Sequence, residues 1–217
     1  MKNTVTVIDY GTGNLLSVVR ALEYWGAEVQ LSNKPEQVES TPRLVLPGVG
    51  AFGAGMNGLK ERGLVEAIQR FAGSNRPFLG ICLGMQLMLE SSEEFGLCEG
   101  LGLVPGTVVS LPSTGVNGEP HKIPHTGWNS LYNPSGQDNW GNTILRDVVQ
   151  GQFVYFVHSY AAVTAFEEHT LAVTWYHGRR ISAVIKIDNM YGCQFHPEKS
   201  GPVGLRIIRN FLEIPVL

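Results

Sequence analysis

Between residues 4 and 87 short aliphatic runs alternate with helix-forming stretches, and the last of these alternations sets a cysteine between two glycines. TVTVID (4–9) reads as a buried strand, GTGN as a turn, and LLSVVRALEYWG (15–26) as a helix whose apolar stripe stops at a glycine. Short strands at EVQL and RLVL follow, then PGVGAFGAGMNG, a helical pattern over LKERGLVEAIQRF, and the strand PFLGI. Strands separated by helices imply a mostly parallel central sheet with helices on both faces.

After residue 100 the character changes. GLVPGTVVSLP, GWNSLY, FVYFVHSYAAV, LAVTWYH, ISAVIKI and MYGCQF read as strands with turns between them, expected to add antiparallel or mixed strands to the same core. The helix VGLRIIRNFLEI closes the chain, and residues 113–142 are polar and loop-rich. With 217 residues, 43% of them hydrophobic, the chain can bury a full core, and one domain over 1–217 is expected. A formal net charge of -3 and no basic run give no footprint for nucleic acid or an anionic membrane. The opening MKNTVTVIDYGTGN carries an aspartate where a signal peptide needs an apolar stretch, and no segment approaches the ~18 apolar residues of a membrane span. A cytoplasmic protein is expected. Cys82, Cys98 and Cys193 lack the short spacing of a metal site, and their odd number argues against a disulfide framework. No metal and no cofactor are expected.

The stretch FLGICLGMQ (78–86) carries the first sign of chemistry. A nucleophile presented on a sharp strand-to-helix turn needs small neighbours, and Gly80 and Gly84 flank Cys82. Taken alone, the same motif describes a small cysteine packed against a sheet. A helix starting at Leu83 would aim N–H groups at the sulfur, but a helix terminus contributes only ~0.3 to 1 kcal/mol. One pKa unit is ~1.4 kcal/mol, so a thiol starting near ~8.5 needs a base as well.

QFHPEKS (194–200) supplies a candidate. His196 follows the strand MYGCQF, and in an extended segment Glu198, two residues on, projects to the same side and orients the imidazole. Cys82, His196 and Glu198 at strand ends of an α/β sheet make a nucleophilic triad. Acyl chemistry also requires donors for an oxyanion, and LPGVGAF (46–52) offers backbone N–H groups after a strand, with the N–H of Leu83 as the second donor. GTGN does not extend to a dinucleotide fingerprint, because the third glycine position is Leu16.

With these residues in place the chain resembles the class I, triad-type glutamine amidotransferases, whose two signature segments match GICLGMQ and GCQFHPE. Within that class, IDYGTGNLLSV, LPGVGAFG, IPHTGWN, YFVHSYA and QFHPEKSG resemble the glutaminase subunits of imidazole glycerol phosphate synthases, and the likeness spans nearly the whole chain. Thr126 stands where that family usually carries a bulky apolar residue, and the loop 112–120 is its own. The resemblance implies the class I glutamine amidotransferase fold and a reaction in which Cys82 attacks the carboxamide of glutamine and His196, held by Glu198, moves the protons. It places Val49 and Leu83 backbone groups at the oxyanion and Gly50, Gln86, Ser159 and Tyr160 around the substrate. It also implies a (β/α)8-barrel cyclase as heterodimer partner, faced by Asn14, Trp128, Tyr155 and Lys199. Other readings remain at this point: a related glutaminase serving a partner that amidates a surface-sugar precursor, or a stand-alone amide hydrolase. A non-catalytic binding module would need a damaged triad.

Overall fold

The computed structural model of the chain describes residues 3–136 and 140–216. Its first part comprises β1 (Thr4–Ile8), α1 (Leu15–Glu23), β2 (Glu28–Ser32), α2 (Pro35–Ser40), β3 (Leu44–Gly48), α3 (Phe52–Glu61), α4 (Leu64–Ala72), β4 (Phe78–Cys82) and α5 (Leu83–Leu87). β1 pairs in parallel with β2 and β3, and β3 with β4. Alternate residues of these strands feed two cores, one on each face of the sheet. Val5, Val45, Leu79 and Ile81 share a cluster with Val18 and Leu22 of α1, whereas Leu44, Leu46 and Phe78 share one with Met56, Leu59, Ile68 and Phe71 of α3 and α4. Every residue of β3 and β4 is buried, as the middle of a doubly covered sheet requires.

The rest comprises β5 (Leu89–Ser92), β6 (Cys98–Glu99), β7 (Val104–Ser110), β8 (His125–Ser130), β9 (Phe153–His158), β10 (Tyr160–Thr164), β11 (Thr170–Tyr176), β12 (Arg179–Ile187), β13 (Met190–Cys193) and α6 (Gly201–Leu212). The central sheet runs β11-β12-β13-β4-β3-β1-β2, with β12 antiparallel to both β11 and β13, and β13 parallel to β4. Only these three late strands extend it. β10-β7-β5-β6 form a second sheet and β8-β9 a third. Among the described residues no helix is long and apolar enough to cross a membrane.

Three local readings change. FVYFVHSYAAV is two strands that part at Ser159, β9 joining β8 and β10 joining β7, although its apolar composition carries no mark of the break. LKERGLVEAIQRF belongs to two helices, because Gly63, at φ 63, turns the chain between α3 and α4. The glycine-rich AFGAGMNG is largely helical despite poor propensity: a Cβ on Gly58 would lie 2.6 Å from the Tyr10 carbonyl oxygen, so close packing on the segment after β1 demands the glycine. The short helix α2, over PEQVES, carries too few residues for a periodic signal.

β3, β4 and β13 run in the same direction, with Gly48 opposite Cys82 and Ile81 opposite Cys193. Whatever follows these three strands therefore gathers at one edge of the sheet, the place where open α/β sheets bind ligands.

Candidate active site

Cys82 ends β4 at φ 54 and ψ -108, a backbone conformation that costs a non-glycine residue energy and is kept where the surroundings enforce it. The enforcement comes from the flanking glycines. A Cβ on Gly84 would sit 1.7 Å from the Leu46 carbonyl oxygen, and one on Gly80 would sit 2.6 Å from Met88 Sδ. α5 therefore lies directly on β3 and β4, and the cysteine is turned outward at the join. With only five residues α5 supplies less of a helix-terminus field than a full helix would.

His196 lies three residues beyond β13 and so beside the end of β4. Glu198 is not in an extended segment: Pro197–Lys199 form a single 3-10 turn that brings the carboxylate back to the ring, with His196 Nδ1 and Glu198 Oε1 2.7 Å apart. Both side chains are almost wholly buried. The turn is clamped. Ser200 Oγ donates to the His196 carbonyl at 2.7 Å and accepts from the Tyr155 N–H at 2.9 Å, while a Cβ on Gly204 would meet the Pro197 carbonyl at 1.9 Å. Burial lowers the proton affinity of the imidazole, but the Cys82 thiol and the Glu198 carboxylate outweigh it and push His196 up to about 9. Nε2 has no hydrogen bond of ordinary geometry, which leaves that nitrogen for Cys82.

Cys82 and His196 share a cavity of about 240 Å3 with Val49, Gly50, Leu83, Gln86, Ser159 and Tyr160. Glu198 lies behind His196, where the two line a narrow crevice with Asn14, Gly48 and Val49. Gly50 is at φ 110, a conformation open to glycine, and Tyr10 Oη donates to the Pro47 carbonyl at 2.8 Å to hold this strand end. Trp128 and Tyr155 face each other across β8 and β9 with ring centroids 6.0 Å apart, and Trp128, Asn14 and Lys199 are exposed. Among the described residues no group of His, Cys, Asp or Glu is placed to hold a metal ion.

Three further residues belong to the site. Glu94 lines the cavity and its Oε2 accepts from the Phe52 N–H at 2.6 Å, tying the loop after β5 to the start of α3. His158 forms part of the wall. Gln194, fully buried, donates from Nε2 to Cys82 Sγ at 3.8 Å. Gln194 had a signal: it lies two residues before His196 on the extended run that leaves β13, a spacing that puts both side chains on one side. Glu94 had none.

A strained cysteine and a carboxylate-held imidazole opening on one cavity form the constellation for covalent acyl transfer. Residues 6–214 match the family model for glutamine amidotransferase class-I, and the chain belongs to that family. It is 57% identical over 212 residues to the imidazole glycerol phosphate synthase subunit HisH 1 of Legionella pneumophila strain Lens, covering 98% of this chain and 100% of the relative. It is 44% identical to the imidazole glycerol phosphate synthase subunit HisH of Geobacillus sp. strain WCH70, covering 97% and 96%. The fold matches a crystal structure of a glutamine amidotransferase with a TM-score of 0.70 at 18% identity, covering 96% of this chain and 97% of that one. It also matches the structure of PurLQS from Thermotoga maritima with a TM-score of 0.73 at 19% identity, covering 98% of each.

Proposed function

We propose that residues 1–217 act as one glutaminase domain that hydrolyses glutamine to glutamate and ammonia. The ammonia passes to a (β/α)8-barrel cyclase partner that forms imidazole glycerol phosphate in histidine biosynthesis. The observation that carries this reading is the strained Cys82 sharing one cavity with the His196 ring, in a chain so similar along its length to HisH subunits.

Cys82 Sγ, its proton already held on His196 Nε2, attacks the side-chain carboxamide carbon. The carbonyl oxygen becomes an oxyanion facing the backbone of Val49 and Leu83, where each well-placed donor is worth ~2.7 to 4 kcal/mol. The C–N bond then breaks as His196 returns the proton to the departing ammonia, leaving a glutamyl thioester. His196 next takes a proton from water, whose oxygen attacks the thioester, and the thiolate leaves with the proton kept on His196. Glu198 holds Nδ1–H throughout and balances the imidazolium. Gly50, Gln86, Ser159 and Tyr160 surround the substrate, and the Glu94 carboxylate matches its α-ammonium group.

Ammonia released into water would be protonated and lose its nucleophilicity, so delivery requires a covered exit. Leu16 in α1, Val49 just after β3, Trp128 in β8 and Phe153 in β9 leave large apolar side chains at 40 to 58% exposure. Such a patch suits a protein partner. The reading is tested by a glutaminase assay of the full chain alone, with the barrel partner, and with the partner's nucleotide. Turnover that rises with each addition supports it. Full turnover alone, indifferent to the partner, would point to a stand-alone amidase, and none under any condition would overturn the triad.

A further inference from the structure

We propose that His125, which lies outside the cavity, is a positioning residue: it holds His158 in the Nδ1–H tautomer, and His158 in turn fixes the Tyr160 carbonyl against which Gln86 is braced. Only the part played by glutamine rests on the function proposed above.

His125 begins β8, is fully buried, and lies between the Phe156 ring at 4.9 Å and the Tyr176 ring at 4.1 Å, near-parallel to both. Its Nδ1 is 3.0 Å from His158 Nε2. His158 ends β9 in the cavity wall, with Nδ1 2.9 Å from the Tyr160 carbonyl oxygen. A carbonyl only accepts, and this settles the direction of every bond in the series. The proton of His158 is on Nδ1, its Nε2 presents a lone pair, and the proton between the rings is therefore on His125 Nδ1. The opposite tautomer would set a lone pair against the carbonyl oxygen. The same carbonyl accepts a second bond from Gln86 Nε2 at 2.9 Å, Gln86 Nε2 also donates to Gln194 Oε1 at 3.1 Å, and Gln194 donates to Cys82 Sγ. One connected set of hydrogen bonds thus reaches from β8 to the sulfur.

The arrangement needs a neutral His158, because a proton on its Nε2 would remove the lone pair that accepts from His125 Nδ1–H. Burial and the neighbouring His125 push His158 down to about 3, with His196 also facing it from the turn after β13. His125 is lowered by burial, with His177 and His121 opposing its charge and Asn129 favouring it. A charged His158 would add a second imidazolium next to His196.

The test uses the full chain. With 15N-labelled histidine, two-bond 1H–15N correlation spectra are expected to show His158 neutral and protonated on Nδ1 from pH 7 to pH 5, and His125 carrying a proton on Nδ1. Two substitutions separate positioning from packing. His125→Phe keeps an aromatic ring in the stack without the donor, whereas His125→Asn keeps an amide N–H near the place of Nδ1 without the ring. Positioning predicts that His125→Phe raises KM for glutamine about tenfold with kcat within about twofold, and that His125→Asn returns KM to within about threefold of the parent. An Nε2–H tautomer at His158 would overturn the inference, as would normal KM in His125→Phe with impaired His125→Asn. The spectra decide the matter even where a variant does not fold. A parent chain unable to hydrolyse glutamine with its partner would refute the proposed function, while the spectra would still judge the tautomers.

Discussion

His196 and His158 stand in the wall of the same cavity, at 2% and 6% exposure, yet one is pushed up to about 9 and the other down to about 3. Burial acts on both in the same sense, against the charged ring. What differs is the company. His196 meets a carboxylate 2.7 Å away and a thiol, both of which favour a proton, whereas His158 meets a carbonyl that one N–H satisfies and a second imidazole that opposes charge. Depth of burial therefore does not tell a proton-transferring histidine from a structural one; the groups aimed at its two nitrogens do.

The largest effect expected is from the thiol. Cys82→Ala is expected to lower glutamine hydrolysis by at least ~10^4-fold while circular dichroism and partner binding stay unchanged. It also removes an influence that raises His196, so the titration of His196 by NMR should move down from about 9 while that of His158 stays in place. Surviving turnover would refute the nucleophile, and a joint movement of both histidines would break the contrast between them.

Stability against pH sharpens the same contrast. His196 is raised above its ordinary 6.5, so the stability it contributes is fully present below pH 6.5 and is lost as pH rises through about 9. His158 is lowered, so its contribution is present above pH 6.5 and is lost as pH falls toward about 3. Denaturant unfolding should give two limbs, on the order of 3 kcal/mol on the alkaline side and on the order of 5 kcal/mol on the acid side. His196→Asn should flatten the alkaline limb and His158→Asn the acid one; a limb indifferent to its histidine would contradict the assignment of that ring.

The smallest effect concerns the anionic group across the cavity. Glu94→Gln is expected to raise KM for glutamine about tenfold with kcat changed less than about twofold. Unchanged KM would remove Glu94 from the substrate's ammonium group.

Legibility was uneven. The run FLGICLGMQ shows its strand, its glycines and its turn within nine residues, and the turn stands where the pattern puts it. The elbow marks Leu83 and the glycines mark the run LPGVGAF, but Val49, Gln86, Ser159 and Tyr160 came from resemblance, since a polar residue at a helix start or a strand end carries no local mark of a ligand. The hairpin partners of FVYFVHSYAAV were hidden because β9 and β10 are both largely apolar runs with only Ser159 between them, and which strand each one meets is decided by the fold. α3 was hidden because its glycines answer to the packing of Tyr10, Leu83 and Leu87 rather than to helix propensity.

The sequence by itself determined the parallel first part of the sheet, the cysteine elbow and the candidate nucleophile and base, because strand period, glycine placement and residue chemistry are local properties. Only the tertiary structure decided which imidazole carries charge, that Glu94, His158 and Gln194 join the site, and how the late strands divide among three sheets. Those outcomes depend on what each group meets in space, and residues far apart in the chain become neighbours only when β3, β4 and β13 end at the same edge.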